Sequence, residues 1–160
     1  VGDYKNLFGV GANFVESFNG IDVALSAGYE HGQLEQNAGG VFEDGDSYSV
    51  GANVGNAGFT VGGSYATSDN AVSQGDSTFW DAGVSYGTGP WNVSFTYANS
   101  KVENGAGAGD DERDQVEVGA TYKLSPGVTV VGSLQYFDEN NDSTVDVDGW
   151  GAAVGTKLSF

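Results

Sequence analysis

The 160-residue chain carries 22 Asp and Glu residues against five Lys and Arg residues, a formal net charge of −17, and it contains no Cys. This balance argues against nucleic-acid binding, which needs clustered basic residues, and the lack of thiols excludes disulfide scaffolds and thiolate metal sites. Apolar residues at 39% and aromatic residues at 12% argue against a disordered chain. No apolar run approaches the roughly 18 residues of a transmembrane helix.

Apolar and polar residues alternate along most of the chain, which is the period of a β-strand with two different faces. Patterns with helical spacing are hard to find, so the sequence predicts an all-β fold. In chain order, the alternation predicts nine strands at 4–14, 21–30, 48–54, 59–65, 80–86, 91–97, 116–125, 128–136 and 150–160.

The first and last strands show the pattern at the two ends of the chain. In the first strand, Tyr4 and Phe8 are predicted on one face and Lys5 on the other. In the last, Trp150 and Phe160 share an apolar face and Lys157 lies opposite. An aromatic residue at the end of a strand is expected where a sheet must be anchored in a membrane interface. Taken alone, this stretch also fits the last strand of a soluble sandwich.

The connections between the strands alternate between short and long. Short turns lie near residues 18, 56, 88 and 126, and long polar segments lie near residues 38, 72, 108 and 143. A meander that is tight on one rim and long on the other is typical of an up-and-down barrel that spans a membrane. In such barrels the short turns are periplasmic and the long loops external.

Aromatic residues form two rows, one near each rim, with small aliphatic residues between them. Rings with a polar edge prefer the headgroup level of a bilayer, whereas a soluble sandwich would place its largest rings in mid-strand. The sequence therefore predicts a transmembrane antiparallel up-and-down β-barrel, with residues 1–160 as a single barrel segment. The predicted membrane-interface girdle consists of Tyr29, Tyr65, Tyr97 and Tyr136 toward the long loops, and Tyr86, Trp91, Tyr122 and Phe160, with Phe14 and Phe59, toward the short turns.

Two stretches, GVSYGTGPWNVSFTY at 83–97 and the closing DGWGAAVGTKLSF at 148–160, resemble the Gram-negative general porins, especially those of the alphaproteobacterial type. The resemblance covers essentially the whole chain, as the C-terminal part of such a porin. It implies a 16-stranded, usually homotrimeric barrel in the bacterial outer membrane, in contact with lipid and lipopolysaccharide. The water-filled pore of these proteins passes ions and small hydrophilic solutes by passive diffusion.

Nine strands would match strands eight to sixteen of that barrel. An odd number of strands cannot close an all-antiparallel barrel, so we expect either further N-terminal residues or another chain to complete the wall. The constriction loop of the family is not visible in the sequence, and no constriction residues can be carried over.

The polar face of the strands is the predicted pore lining. Its charged members are Lys5, Asp22, Glu30, Asp81, Glu117, Lys123 and Lys157. Antiparallel pairing should bring Lys123 and Lys157 to the level of Thr129, as a small basic spot near the periplasmic mouth. Charges that line a pore bias its ion selectivity. The alternative is that each is a solvated lumen residue without a specific role.

Acidic clusters in the long loops offer oxygen ligands for Ca²⁺ or Mg²⁺, and such an ion could also bridge to lipopolysaccharide phosphates. The predicted ligands are Glu43, Asp44, Asp46, Asp110, Asp111, Asp142 and Asp146. None of the clusters matches the spacing of an EF-hand, and a merely solubilising acidic rim is the alternative. No other cofactor is expected.

Catalysis has little support in the sequence. His31 is the single histidine, and no Gly-x-Ser-x-Gly motif is present. We therefore expect no enzyme. Two other readings stay open: a structural or adhesive outer-membrane barrel that acts through its acidic external loops, and a soluble acidic calcium-binding β protein.

Overall fold

The computed structural model is one antiparallel sheet of nine strands, each hydrogen-bonded to its neighbours in chain order. It describes residues 4–34, 44–70, 75–103, 109–142 and 145–159, without the side chains of Tyr4, Lys5, Leu34 and Asn70. The strands are β1 (Tyr4–Phe18), β2 (Ile21–Leu34), β3 (Gly45–Asn56), β4 (Phe59–Asn70), β5 (Gly75–Thr88), β6 (Trp91–Glu103), β7 (Asp110–Ser125), β8 (Val128–Asn141) and β9 (Val147–Leu158). The predicted nine-stranded all-β fold is confirmed.

Over the described residues, the sheet is a single layer with no second layer packed on its apolar face. No described side chain is fully buried, while Val154 is 85% and Trp150 70% exposed. Leaving a large apolar side chain in water forfeits roughly 1.5–3 kcal/mol relative to burying it, so a soluble protein would cover this face. The apolar face therefore requires a lipid or protein environment outside the sheet.

The sheet curves toward its polar face. From Trp80 to Phe95, across β5 and β6, the residues of the apolar face are exposed and those of the polar face are half-buried, as expected when side chains crowd on a concave surface. A trough on this side is lined mainly by polar-face residues, among them Asn13, Ser26, Gly51, Ser64, Ser85 and Thr96. We call the two sides the concave polar face and the convex apolar face.

The predicted short turns are two-residue hairpin turns with the chemistry that such turns need. Asn19 and Gly20 have φ values of 50° and 83°, and Ala57 and Gly58 have values of 50° and 86°, which is the type I′ pattern. In the turn of Pro126 and Gly127, only Gly127 has a positive φ, 81°.

These turns are also hydrogen-bonded to the next hairpin along the rim. The Gly87 amide donates to the Gly58 carbonyl (2.8 Å), the Lys123 amide to the Pro90 carbonyl (2.9 Å) and the Ser159 amide to the Gly127 carbonyl (2.9 Å). At the first turn, the Asn56 side-chain amide donates to the Gly20 carbonyl at 2.8 Å. The four short turns thus form one continuous hydrogen-bonded edge, which we call the short-turn rim.

The paired aromatic residues shift along the strands from one hairpin to the next. Tyr29 of β2 pairs with Tyr48 of β3, and Tyr65 of β4 pairs with Trp80 of β5. Tyr65 also pairs with Val50, two residues after Tyr48, so the second aromatic pair lies two residues closer to the short turns than the first. If these pairs lie at one level of the membrane interface, a shift of two residues of about 3.3 Å each over two strands about 4.8 Å apart corresponds to a strand tilt of about 35°, within the range of transmembrane barrels.

At their other ends the strands are longer than the alternation predicts. β7 begins at Asp110 and β8 continues to Asn141, so Asp110 and Asp111 lie in a strand and not in a loop; Asp46 lies in β3 for the same reason. Beyond the apolar band both faces of a strand meet water. The side-chain alternation then disappears although the backbone ladder continues.

The predicted faces of the first strand are wrong near its start. A register shift lies between Lys5 and Phe8, and Asn6 has a positive φ of 53°, as at a β-bulge. The extra residue breaks the alternation, so Tyr4 and Phe8 are not related by the period of two. Lys5 pairs with Gln33, and since its side chain is not described, its place in the pore lining stays a prediction.

Candidate functional site

The concave polar face is built from small side chains between its charged residues. One row of directly paired positions crosses all nine strands and contains, apart from Asp22, only small residues: Ser17, Asp22, Gly55, Thr60, Ser85, Ser94, Gly119, Ser133 and Ala153. Such residues leave open space in front of the wall. This is the surface that water and solutes would meet in a barrel.

Four predicted acidic residues share this face: Asp22, Glu30, Asp81 and Glu117. Two of them are oriented by a serine directly across the ladder. The Ser17 hydroxyl donates to Asp22, and the Ser64 hydroxyl donates to Asp81. Because each carboxylate has a fixed hydrogen-bond donor on the next strand, it stays at the wall.

The two lysines predicted near Thr129 are placed there by the register. Lys123 of β7 pairs with Thr129 of β8, which pairs in turn with Lys157 of β9. Both lysines are exposed on the concave polar face, in the row next to the short-turn rim.

Arg113 is a cation of the concave polar face that the sequence did not reveal. It lies on the concave polar face of β7, with its guanidinium carbon 4.7 Å from the centre of the Phe137 ring and Nη1 3.9 Å from a Glu139 carboxylate oxygen. The strand predicted from the sequence begins at residue 116, so Arg113 falls in the preceding long polar segment. Counting the period of two backward from Glu117 through Gln115 would have placed Arg113 on this face.

Aromatic residues lie in two rows on the convex apolar face. Their rings contact one another in cross-strand pairs, an arrangement worth about 0.5–1.5 kcal/mol beyond area burial. Toward the long connections the ring-centre distances are 5.0 Å for each of Tyr29–Tyr48, Trp80–Tyr97 and Tyr136–Trp150; toward the short turns they are 4.4 Å for Phe59–Tyr86 and 4.5 Å for Trp91–Tyr122.

Tyr65 also belongs to the first girdle, where it pairs with Trp80. Phe160, predicted in the second girdle, lies outside the described residues. The described members lie on the convex apolar face, and their role as a membrane-interface girdle stays a prediction.

Carboxylates just beyond the first girdle accept hydrogen bonds from its tyrosines. The Tyr29 hydroxyl donates to Asp46 at 2.7 Å, the Tyr97 hydroxyl donates to Asp114, and the Asn99 amide also donates to Asp114 at 2.9 Å. His31 Nδ1 lies 3.0 Å from Asp46 as well. Each aspartate lies on the neighbouring strand, two residues beyond the tyrosine's own pairing partner, so the pattern follows from the register.

Several of the predicted divalent-cation ligands accept hydrogen bonds from protein groups. The Asp110 amide donates to Asp142 and the Asn141 amide to Asp146, each at 3.2 Å. Over the residues that the structure describes, no group of three or more His, Asp or Glu side chains could hold a metal ion. Glu43 lies outside those residues, and the Ca²⁺ or Mg²⁺ site stays a prediction.

Within the same residues, no helix is long and apolar enough to cross a membrane.

Comparison with known proteins gives the fold and the family. The structure is similar to "Outer-membrane expressed OmpT of Vibrio cholerae", with a TM-score of 0.66 and 15% identity over 95% of this chain and 56% of that one. It is also similar to a loop L8 deletion mutant of the same protein, with a TM-score of 0.65 and 15% identity over 91% of this chain and 51% of the other. The chain thus spans about half the length of these solved structures.

A search of curated proteins finds no matching sequence. A family model described as Gram-negative porin matches residues 1–142. Together with the nine-stranded antiparallel sheet and its two faces, this places the chain in the wall of a transmembrane β-barrel of the bacterial outer membrane. The chain belongs to the Gram-negative porin family.

Proposed function

We propose that the protein forms a water-filled channel through which ions and small hydrophilic solutes diffuse passively across the outer membrane. The observation that carries the proposal is the contrast between the faces of one sheet. The convex face is apolar and bounded by aromatic rows, and the concave face carries small polar residues over its whole width. Water on one side and lipid on the other satisfy both faces.

The main alternative is a structural or adhesive barrel that acts through acidic external loops. A plugged barrel needs large complementary side chains on its inner wall. The described concave face instead has mostly small residues on β1 to β6, with Phe79 of β5 as a large exception, and further larger residues on β7 and β8, among them Arg113 and Phe137. This favours an open lumen.

Electrical recording from the purified protein in a planar bilayer tests the proposal. We expect stepwise conductance that rises with KCl concentration and is not coupled to any energy source. A bulky Ser85→Trp change on the concave face should lower the unit conductance, whereas Val84→Trp, on the adjacent convex position, should leave it unchanged. A protein that inserts without conducting, or equal effects of the two changes, would contradict a pore on this face.

The finer assignments are also proposals. They are a 16-stranded barrel of the alphaproteobacterial type, assembly as a homotrimer, and lipopolysaccharide as the surrounding outer-leaflet lipid. The family match supports a porin barrel. Gel electrophoresis of unheated and heated samples tests the trimer, which should migrate as one oligomeric band that heating converts to monomer. A monomer band in both samples would contradict it.

A further inference from the structure

Two lysines form a positive site at one end of the concave polar face. Thr129 lies between Lys123 and Lys157 in a row of three paired residues. Neighbouring strands are about 4.8 Å apart, so the two Cα atoms are separated by about 10 Å. Long, flexible lysine side chains on the same face can therefore converge on one small solute, with the threonine hydroxyl as a further donor between them.

The backbone under this site is fixed from both sides. The Lys123 amide donates to the Pro90 carbonyl, and the Ser159 amide, two residues after Lys157, donates to the Gly127 carbonyl, each at 2.9 Å. Both lysines thus stand on the short-turn rim and not on a loop.

These lysines differ from the other described cations, which have carboxylate partners. Lys101 Nζ lies 2.7 Å from Asp110 and Arg113 lies 3.9 Å from Glu139, whereas neither Lys123 nor Lys157 forms an ion pair with any described residue. The carboxylate on the same face of β7, Glu117, is six residues from Lys123, about 20 Å along the strand. Among the described residues, no carboxylate therefore neutralises the positive charge of the pair locally.

We propose that Lys123, Thr129 and Lys157 form a subsite for small oxyanions of two negative charges, such as phosphate, at the short-turn mouth of the channel. An ammonium group is a point-charge partner for phosphate oxygens, and two of them match a dianion. The chain as a whole has a formal charge of −17, which repels anions. A local positive site at the mouth offsets that repulsion for dianions, which the negative charge repels more strongly than monoanions.

The proposal rests on the channel function, and its expected size follows from Coulomb's law. A unit charge about 7 Å from a lysine in water gains roughly one RT, so each lysine raises the local concentration of a monoanion about threefold and of a dianion about tenfold. At 0.1 M salt the Debye length is about 10 Å, so screening reduces both effects.

Reversal potentials across bilayers with gradients of KCl or potassium phosphate test the subsite. Lys123→Gln and Lys157→Gln should each lower the phosphate-to-potassium permeability ratio about threefold, and the double variant about tenfold, with a smaller change for chloride. The matched control is Lys101→Gln, which removes a lysine from the convex side of β6 and should leave both ratios unchanged. Equal phosphate permeability of the wild type and the double variant would overturn the proposal.

A second measurement does not depend on conduction. Phosphorus NMR of inorganic phosphate with the detergent-solubilised protein should show line broadening that the double variant loses and Lys101→Gln keeps. A protein that conducts nothing but broadens the line contradicts the channel and supports the subsite. A conducting protein whose double variant broadens the line as the wild type does contradicts the subsite alone.

Discussion

The two ends of the sheet are held together in different ways. At the short-turn rim, backbone amides and carbonyls of successive hairpins bond to each other, as in the 2.8 Å contact between Gly87 and Gly58. At the other end, beyond the aromatic residues, side chains make the links: Tyr29 and Tyr97 donate to aspartates, and Lys101 pairs with Asp110. The comparison teaches that the short-turn rim depends on backbone geometry, whereas the long-connection end depends on the identity of polar residues.

The largest effect is expected from a side chain placed in the short-turn rim. A Cβ at Gly58, where φ is 86°, would lie 2.5 Å from the Gly87 carbonyl oxygen, so Gly58→Ala combines an unfavourable backbone conformation with a clash against backbone. We expect a loss of about 3 kcal/mol in the free energy of unfolding, measured by urea titration in lipid vesicles.

Gly20→Ala is the matched control for that change. Its φ is 83°, but nothing lies within 4 Å of the added Cβ, so only the conformational cost of about 1–2 kcal/mol applies. Equal losses for the two variants would show that the contact between successive turns is unimportant.

A smaller effect is expected at the long-connection end from Tyr97→Phe. The change removes the hydroxyl that donates to Asp114 but keeps the ring against Trp80. Because Asn99 still donates to Asp114, we expect a loss of about 1 kcal/mol in the same titration. Tyr65→Phe, in the same girdle but without a described hydroxyl partner, should change stability by less. A Tyr97→Phe variant as stable as the wild type would show that the hydrogen bond from Tyr97 to Asp114 does not stabilise the sheet.

The smallest effect is expected for Lys101→Ala. Its ion pair with Asp110 is short, 2.7 Å, but both side chains are more than a third exposed, at 37% and 46%. Such pairs contribute about 0.5 kcal/mol, and salt screens them. Unfolding titrations in 0.05 M and 1 M salt should show a loss at low salt that shrinks at high salt. A loss independent of salt would mean that the side chain acts by packing.

Sequence reasoning recovers the sheet well where a strand has two different faces. From Phe59 to Tyr65 and from Trp91 to Tyr97 the alternation gives the right faces and the right short turns, because lipid and water impose opposite demands on successive residues. The placement of Lys123 beside Thr129 also depends on a register shift between Lys123 and Ser125, because the turn of Pro126 and Gly127 alone would set Leu124 opposite Thr129. Lys157 pairs with the same threonine from β9.

The same reasoning fails where the two faces become alike. Asp110 and Arg113 lie in a strand beyond the apolar band, where both faces are polar and no alternation marks the ladder. The bulge after Lys5 is likewise invisible, because one extra residue changes the register without changing the composition. The bonds of the tyrosines to aspartates depend on which strands are neighbours, which the sequence shows only once the register is known.

The most direct test of the central claim, that one face of this sheet meets water and the other meets lipid, is cysteine labelling. The chain has no native Cys, so Ser133→Cys on the concave face and Leu134→Cys on the convex face each introduce a single thiol in the same strand. With the protein in lipid vesicles, a charged, membrane-impermeant maleimide should label Ser133→Cys and leave Leu134→Cys unlabelled, and detergent with denaturant should make both react. Rapid labelling of Leu134→Cys with protection of Ser133→Cys would contradict the account.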